Sequence, residues 1–213
     1  MIVVAISQRL IANDTYPETR DCLDVRWATL CARLGILPLV LPTEYDPAAY
    51  FDEFAPKGLI LTGGNDLASL SPGPLSEMRD AFEKRLLDLA VARKLPVLAV
   101  CRGMQLVAEH FGGPLAKVAG HTAVRHALAV STSTRFGGLL SGVGPVNSYH
   151  GYAPTSLPAG FAEVARSEDG ALEAMEHTSL PIFAQMWHPE RETALSEREA
   201  SVIRELFGLK EVV

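Results

Sequence analysis

LAVCRGMQL, residues 98–106, ends an apolar run in a cysteine and turns at once through Arg102-Gly103 into a helical pattern. In an open parallel sheet, functional groups gather beyond the carboxyl ends of the strands. The stretch therefore predicts a nucleophile elbow: strand 96–100, Cys101 on the turn, and a helix that carries Val107, His110 and Phe111 on its apolar side and stops at Gly112-Gly113. A sulfur aimed over a helix N-terminus is favoured as thiolate. The backbone N–H of Arg102 is then free to bind an oxyanion, and Gly103 lets neighbouring backbone pass close beneath the turn.

Around this elbow the first half alternates strand and helix patterns. IVVAI, ILPLVLP, KGLILTGG and PVLAV read as strands, with Pro38 weakening the second. RDCLDVRWATLCARLG reads as an amphipathic helix with Leu23, Trp27, Leu30 and Leu34 on one face and Gly35 as its stop. PAAYFDEF is a short helix and SEMRDAFEKRLLDLAVARK a long one. Several strands are apolar without alternation, as expected when both sheet faces are covered. The fold class is α/β, a doubly wound, mostly parallel sheet flanked by helices, and residues 1–213 read as one domain. In the second half HALAVST, GPVNSYH, FAEVARSED, LEAMEHT and IFAQMWH lack intervening helices, which predicts additional antiparallel or mixed strands. A last helix is expected from Ser196 to Phe207, with a Ser196/Glu199 capping box and Gly208 as its stop.

The 213 residues are 48% apolar, enough for a sizeable core, and carry a formal charge of −6. With no basic cluster interleaved with aromatics, nucleic-acid binding is not expected. No apolar run approaches a membrane span and the start MIVVAIS has no charged leader, so the expected location is cytoplasmic. Of three cysteines, Cys22 and Cys31 fall on the first predicted helix roughly 13 Å apart, which excludes a disulfide between them and leaves them as packing residues. No Cys or His spacing matches a zinc site.

A thiolate needs a base. Among six histidines, His188 ends the run IFAQMW and precedes Pro189-Glu190. Glu190 can curl back to one imidazole nitrogen, set the tautomer and stabilise imidazolium beside thiolate. His110 is expected on the core or groove side of its helix, and His121, His126 and His177 at the surface or in turns.

LAVCRGMQL, WHPER, LILTGGND and PVNSYH together resemble class I glutamine amidotransferases, with their flavodoxin-like fold, and most of all the γ-glutamyl hydrolase branch of peptidase C26 type. One departure is Met186, where many relatives carry glutamine. The resemblance implies Cys101 as nucleophile, His188 as base and Glu190 as its orienter. It also implies a second oxyanion N–H from Gly64, and a pocket lined by Gln105, Ser148, Tyr149 and His150. The implied reaction attacks the γ-amide carbonyl of a small γ-glutamyl substrate, passes through a γ-glutamyl thioester, and needs no metal or organic cofactor.

Two enzyme readings share this machinery: a hydrolase of a larger γ-glutamyl conjugate, and a glutaminase supplying ammonia to a separate synthase partner. A homo-oligomer stays open, as does an inactive binding module. The long connection SQRLIANDTYPET leaves the carboxyl end of the first strand and should overhang the site, bearing Gln8, Arg9, Asn13, Tyr16 and, just beyond, Arg20. Arg9 and Arg20 would suit an anionic leaving group; alternatively they pair with Asp14, Glu18 or Asp21. QRL…NDTY…RDCLDVRW further resembles enzymes of bacterial surface-glycan pathways, some acting on γ-glutamyl nucleotide phosphoramidates.

Overall fold

The apolar strands assemble into one twisted eight-stranded sheet, seen in a computed structural model that describes residues 1–210. In chain order the first half comprises β1 (Ile2–Ile6), β2 (Arg9–Ala12), β3 (Thr19–Cys22), α1 (Arg26–Leu34), β4 (Ile36–Val40), α2 (Pro47–Phe54), β5 (Leu59–Leu61), α3 (Pro74–Ala92), β6 (Val97–Val100) and α4 (Arg102–His110). The second half comprises β7 (Leu115–Lys117), β8 (Thr122–His126), β9 (Ala129–Val130), α5 (Arg135–Leu140), β10 (Val146–Tyr149), β11 (Tyr152–Pro154), β12 (Phe161–Arg166), β13 (Leu172–His177), β14 (Ile182–Gln185), a 3-10 turn at Pro189–Arg191, and α6 (Glu197–Phe207).

The sheet order is β4-β1-β5-β6-β14-β13-β12-β9. From β4 to β14 every neighbour pair is parallel; β13, β12 and β9 complete it antiparallel. The expected doubly wound, mostly parallel sheet with antiparallel strands from the second half is thus the observed one. Pro38, which lacks an N–H for the ladder, is tolerated because β4 is the edge strand. Separate two-stranded ribbons pair β2 with β3, β8 with β10, and β7 with β11.

Helices cover both faces. On one, Trp27, Leu30 and Leu34 of α1 pack with Phe136 of α5 and Ile203, Leu206 and Phe207 of α6. On the other, Phe51 of α2 and Phe82, Leu86 and Leu87 of α3 pack with Met104 and Val107 of α4. Residues 102–108 are all buried, so α4 is enclosed on every side, beyond the single apolar face its sequence suggests. α6 starts as its sequence predicts: Glu199 N donates to Ser196 Oγ at 3.2 Å, and Gly208 closes it in the left-handed conformation.

Three expectations need correction. The first helix begins at Arg26, because the Asp24 side chain accepts from Arg26 N at 3.0 Å and its carbonyl from Trp27 N at 3.0 Å. Thr19–Cys22 is therefore β3, so Cys22 is not on the helix with Cys31, although both thiols are free. The connection after β1 is a β-ribbon with Leu10 buried at its base. His121 is buried, not at the surface.

Gly103 lies against β5: a Cβ there would come 2.4 Å from Leu61 O and 2.9 Å from Leu61 Cβ, which leaves no room for a methyl group. Gly103→Ala is expected to cost about 2 kcal/mol in denaturant unfolding, against under about 0.5 kcal/mol for Gly144→Ala. Gly144 has no neighbour within 4 Å of that position. Equal effects would contradict the close approach.

Candidate active site

Strand β6 delivers Cys101 to the carboxyl edge of the parallel strands. Its backbone is strained, at φ 54° and ψ −106°, a region a side chain rarely occupies. Two hydrogen bonds fix the turn: Cys101 N donates to Gln185 O at 2.7 Å, and Gln105 N donates to Cys101 O at 3.1 Å. Cys101 is only 7% exposed, but that fraction opens on a cavity.

β14, next to β6, carries the chain to His188. Here His188 Nδ1 and Glu190 Oε1 are 2.7 Å apart, both side chains buried. That bond leaves Nε2 for the sulfur. The Cβ position of Gly63 lies 2.7 Å from His188 Cε1 and 3.5 Å from Cys101 Cβ, so imidazole and cysteine face each other over this glycine. Burial disfavours a charged ring, but the Cys101 sulfur and then the Glu190 carboxylate outweigh it and raise the His188 pKa from 6.5 to about 9. The site is thus built to hold a proton on His188 beside the sulfur.

Asn147 clamps His188 through its backbone, accepting from His188 N at 3.0 Å and donating to His188 O at 2.8 Å. Its place within PVNSYH, between Val146 and Ser148, is the sole sequence signal for this role, and it does not single the residue out. Arg79 is equally unforeseen. Fully buried, it donates to Thr62 O at 2.8 Å and Gly63 O at 3.0 Å, and pairs with Glu83 at 2.9 Å. With the Gly63 carbonyl drawn toward Arg79, the trans peptide plane turns the Gly64 N–H the opposite way. Gly64 has φ +100°, and a Cβ there would lie 2.9 Å from Arg9 Cβ.

The side chain of Arg102 is buried between Asp80 and Glu83, so only its backbone N–H is free to face an oxyanion. Gln105 lines the cavity at Cys101 while its Nε2 donates to Tyr152 O at 2.9 Å. Tyr149 is half exposed, its ring edge-on to His188 at 6.0 Å and under the Arg191 guanidinium at 4.7 Å. Ser148 is buried and donates to His121 O at 2.9 Å; His150 reaches the same cavity from a buried histidine cluster.

Two cavities meet at Gly64. One of about 250 Å³ is lined by Cys101, Gln105, Asn65, Asp66, Tyr149 and His150. The other, of about 290 Å³, lies beneath the β2–β3 ribbon, with Arg9, Ile11, Cys22, Trp27, His188 and Arg191 among its walls. Asn65 ties this ribbon down, its side chain exchanging hydrogen bonds with Leu10 N at 2.9 Å and Leu10 O at 3.0 Å. Arg20 pairs across the ribbon with Ile11 but lies outside both cavities, held by Glu18 at 2.8 Å and by Tyr16 at 3.1 Å. Arg9 is thus brought to the cysteine and Arg20 is not.

Residues 2–190 match the family model of peptidase C26. The chain belongs to the peptidase C26 family. This C26 chain is 34% identical over 209 residues to the gamma-glutamyl-CDP-amidate hydrolase of Campylobacter jejuni, covering 97% of this chain and 98% of that one. It is 32% identical over 187 residues to a subunit of the glutamine-hydrolyzing GMP synthase of Thermococcus kodakarensis, covering 86% and 90%. Its C26 fold is that of glutamine amidotransferases. A Thermotoga maritima glutamine amidotransferase superposes with a TM-score of 0.64 at 14% identity over 97% of this chain and 82% of that one. A candidate GMP synthase subunit from Thermoplasma acidophilum superposes at 0.72 and 20% identity over 98% and 94%.

His188 gives a check on this geometry. Its raised pKa stabilises the fold below about pH 6.5, and that contribution is lost as pH rises through about 9. In Cys101→Ala the ring keeps its burial and its Glu190 bond but loses the sulfur. Ring-proton NMR should then show a midpoint below the wild-type value of about 9. An unchanged midpoint would mean that Cys101 does not govern the charge.

Proposed function

We propose that the protein is a cysteine hydrolase of γ-glutamyl amide bonds, with Cys101 as nucleophile, His188 as general acid and base, and Glu190 orienting it. The observation that carries the reading is the meeting of sulfur and buried, Glu190-bound imidazole at Gly63-Gly64, where two cavities join. The γ-glutamyl group occupies the Cys101 cavity, against Gln105, Tyr149 and His150; Ser148, expected in this lining, is fully buried behind it with its hydroxyl on His121 O. The leaving group lies beneath the ribbon.

Cys101 thiolate attacks the γ-carbonyl, and the oxyanion is received by the backbone N–H groups of Gly64 and Arg102. As the tetrahedral intermediate collapses, the C–N bond breaks and His188 passes its proton to the departing nitrogen. A thioester remains on Cys101. Water, deprotonated by His188, attacks it, glutamate leaves, and the thiolate is restored beside the imidazolium.

Arg9 and Arg191 in the leaving-group cavity favour an anionic amidate, and the name of the Campylobacter relative, a γ-glutamyl-CDP-amidate hydrolase, supports that class. Arg20, on the same face further out, would meet the distal part of a long leaving group once released from Glu18. The GMP synthase relative favours a second reading, a glutaminase that passes ammonia to a synthase partner.

Purified protein assayed with glutamine, a neutral γ-glutamyl alkylamide and a γ-glutamyl nucleotide phosphoramidate separates the two. Preferred turnover of the phosphoramidate is expected, with a loss of about a thousandfold or more in Cys101→Ala. Arg9→Ala should lower kcat/KM for the anionic substrate about tenfold, with the neutral amide nearly unaffected. Glutamine as the best substrate would favour the glutaminase, and full activity in Cys101→Ala would end both readings.

A further inference from the structure

Behind the Cys101 cavity four titratable side chains converge, of which only His150 reaches the cavity, and the hydrolytic scheme gives none of them a proton or a bond to handle. His121 precedes β8, His126 ends it, His150 follows β10, and Glu173 lies on β13 of the main sheet. Each offers one ligand atom, and the four atoms lie within 4.8 Å of one another. Glu173 Oε1 is 3.1 Å from His121 Nδ1, 3.3 Å from His150 Nε2 and 3.5 Å from His126 Nε2. A tetrahedral ion with ligands at about 2.0–2.1 Å has edges of roughly 3.3 Å; the three Glu173–imidazole separations bracket that edge, and the atoms spread over as much as 4.8 Å would draw together around the ion.

The outward nitrogens fix the tautomers. His150 Nδ1 is 3.2 Å from Tyr152 O, and His126 Nδ1 is 3.1 Å from Ala127 O, so each donates there and keeps a lone pair on Nε2. His121 Nε2 is 3.0 Å from Asp169 Oδ2, which leaves its Nδ1 pointing inward. Ser148 Oγ comes within 3.4 Å of that Nδ1, but its proton is committed to His121 O at 2.9 Å.

Inside the ring of lone pairs the Glu173 side chain is fully buried, and among the described residues neither of its oxygens has a hydrogen-bond partner; nor have His126 Nε2 and His150 Nε2. Three lone pairs and an unpartnered carboxylate facing one point are mutually repulsive unless a cation fills it. We propose that His121, His126, His150 and Glu173 bind one divalent transition-metal ion of zinc type, a structural staple between the β8–β10 ribbon and β13. Imidazole-rich donors select a d-block ion over magnesium or calcium, and four protein ligands leave no open position for catalysis. The staple fixes the backbone on either side of Tyr149, at the wall of the Cys101 cavity, and it stands whether or not the proposed hydrolysis does.

Untagged protein produced in zinc-supplemented medium should carry about one equivalent of metal by elemental analysis. After stripping with a chelator, cobalt(II) titration should give the visible bands of a tetrahedral site, saturating at one equivalent and abolished by zinc. Saturating zinc should raise Tm by about 10 °C. Cys101→Ala should keep the cobalt spectrum, whereas His126→Asn and Glu173→Gln, shown folded by circular dichroism, should lose it. No saturable spectrum in the stripped wild-type chain, or a spectrum lost in Cys101→Ala and kept in His126→Asn, would overturn the site. Should the ligand variants fail to fold, the wild-type titration and the Cys101→Ala control still decide.

Discussion

The elbow at Cys101 is the constraint on which the remaining architecture turns. A cysteine at positive φ costs on the order of 1–3 kcal/mol, and it persists only where the surroundings leave no alternative. Here β6 is buried on both faces and bonded on both sides, α4 is enclosed along its first two turns, and Gly103 presses on Leu61. The strand cannot extend and the helix cannot shift, so the residue between them takes the strain and presents its sulfur at the sheet edge.

Beneath that edge, buried charge links core to chemistry. Arg102 leaves the elbow and pairs with Asp80 and Glu83 on α3, and Glu83 pairs with Arg79. Arg79 in turn holds the Thr62 and Gly63 carbonyls. The Cys101 turn and the Gly63-Gly64 loop thus hang from one ionic network, and removal of any member would strand a buried charge, a loss on the order of 3–5 kcal/mol. Burial also lowers the pKa of Arg79, against the pull of Glu83, although it stays charged at neutral pH.

Much of this is legible because it is encoded locally. An apolar run broken by Cys-Arg-Gly specifies a strand, a turn and a helix within nine residues, and His-Pro-Glu places carboxylate and imidazole two residues apart. The start of α1 escapes periodicity because Leu23 continues the apolar spacing of Trp27, Leu30 and Leu34, while the turn in which Asp24 accepts from Arg26 N and Trp27 N leaves no trace in that pattern. The β2–β3 ribbon lacks an Asn-Gly or Asp-Gly turn to announce it. Asn65, Arg79 and Asn147 act on backbone atoms of residues 16 to 55 positions away, contacts that no spacing rule reports. The histidine cluster draws its members from β8, β10 and β13, and no zinc-type spacing survives such dispersal.

The β2–β3 ribbon over the cavity beside His188 stands apart from the eight-stranded sheet. Its pairing is internal, and it is moored by Leu10 and the Asn65 side chain, while Arg9, Ile11 and Cys22 face the ligand space. Substitutions at those three positions change what the cavity admits without disturbing a single strand of the core. Under the proposed hydrolysis, selectivity in this scaffold is modular: one short hairpin can be exchanged to give a new leaving-group preference while the machinery below it is inherited intact.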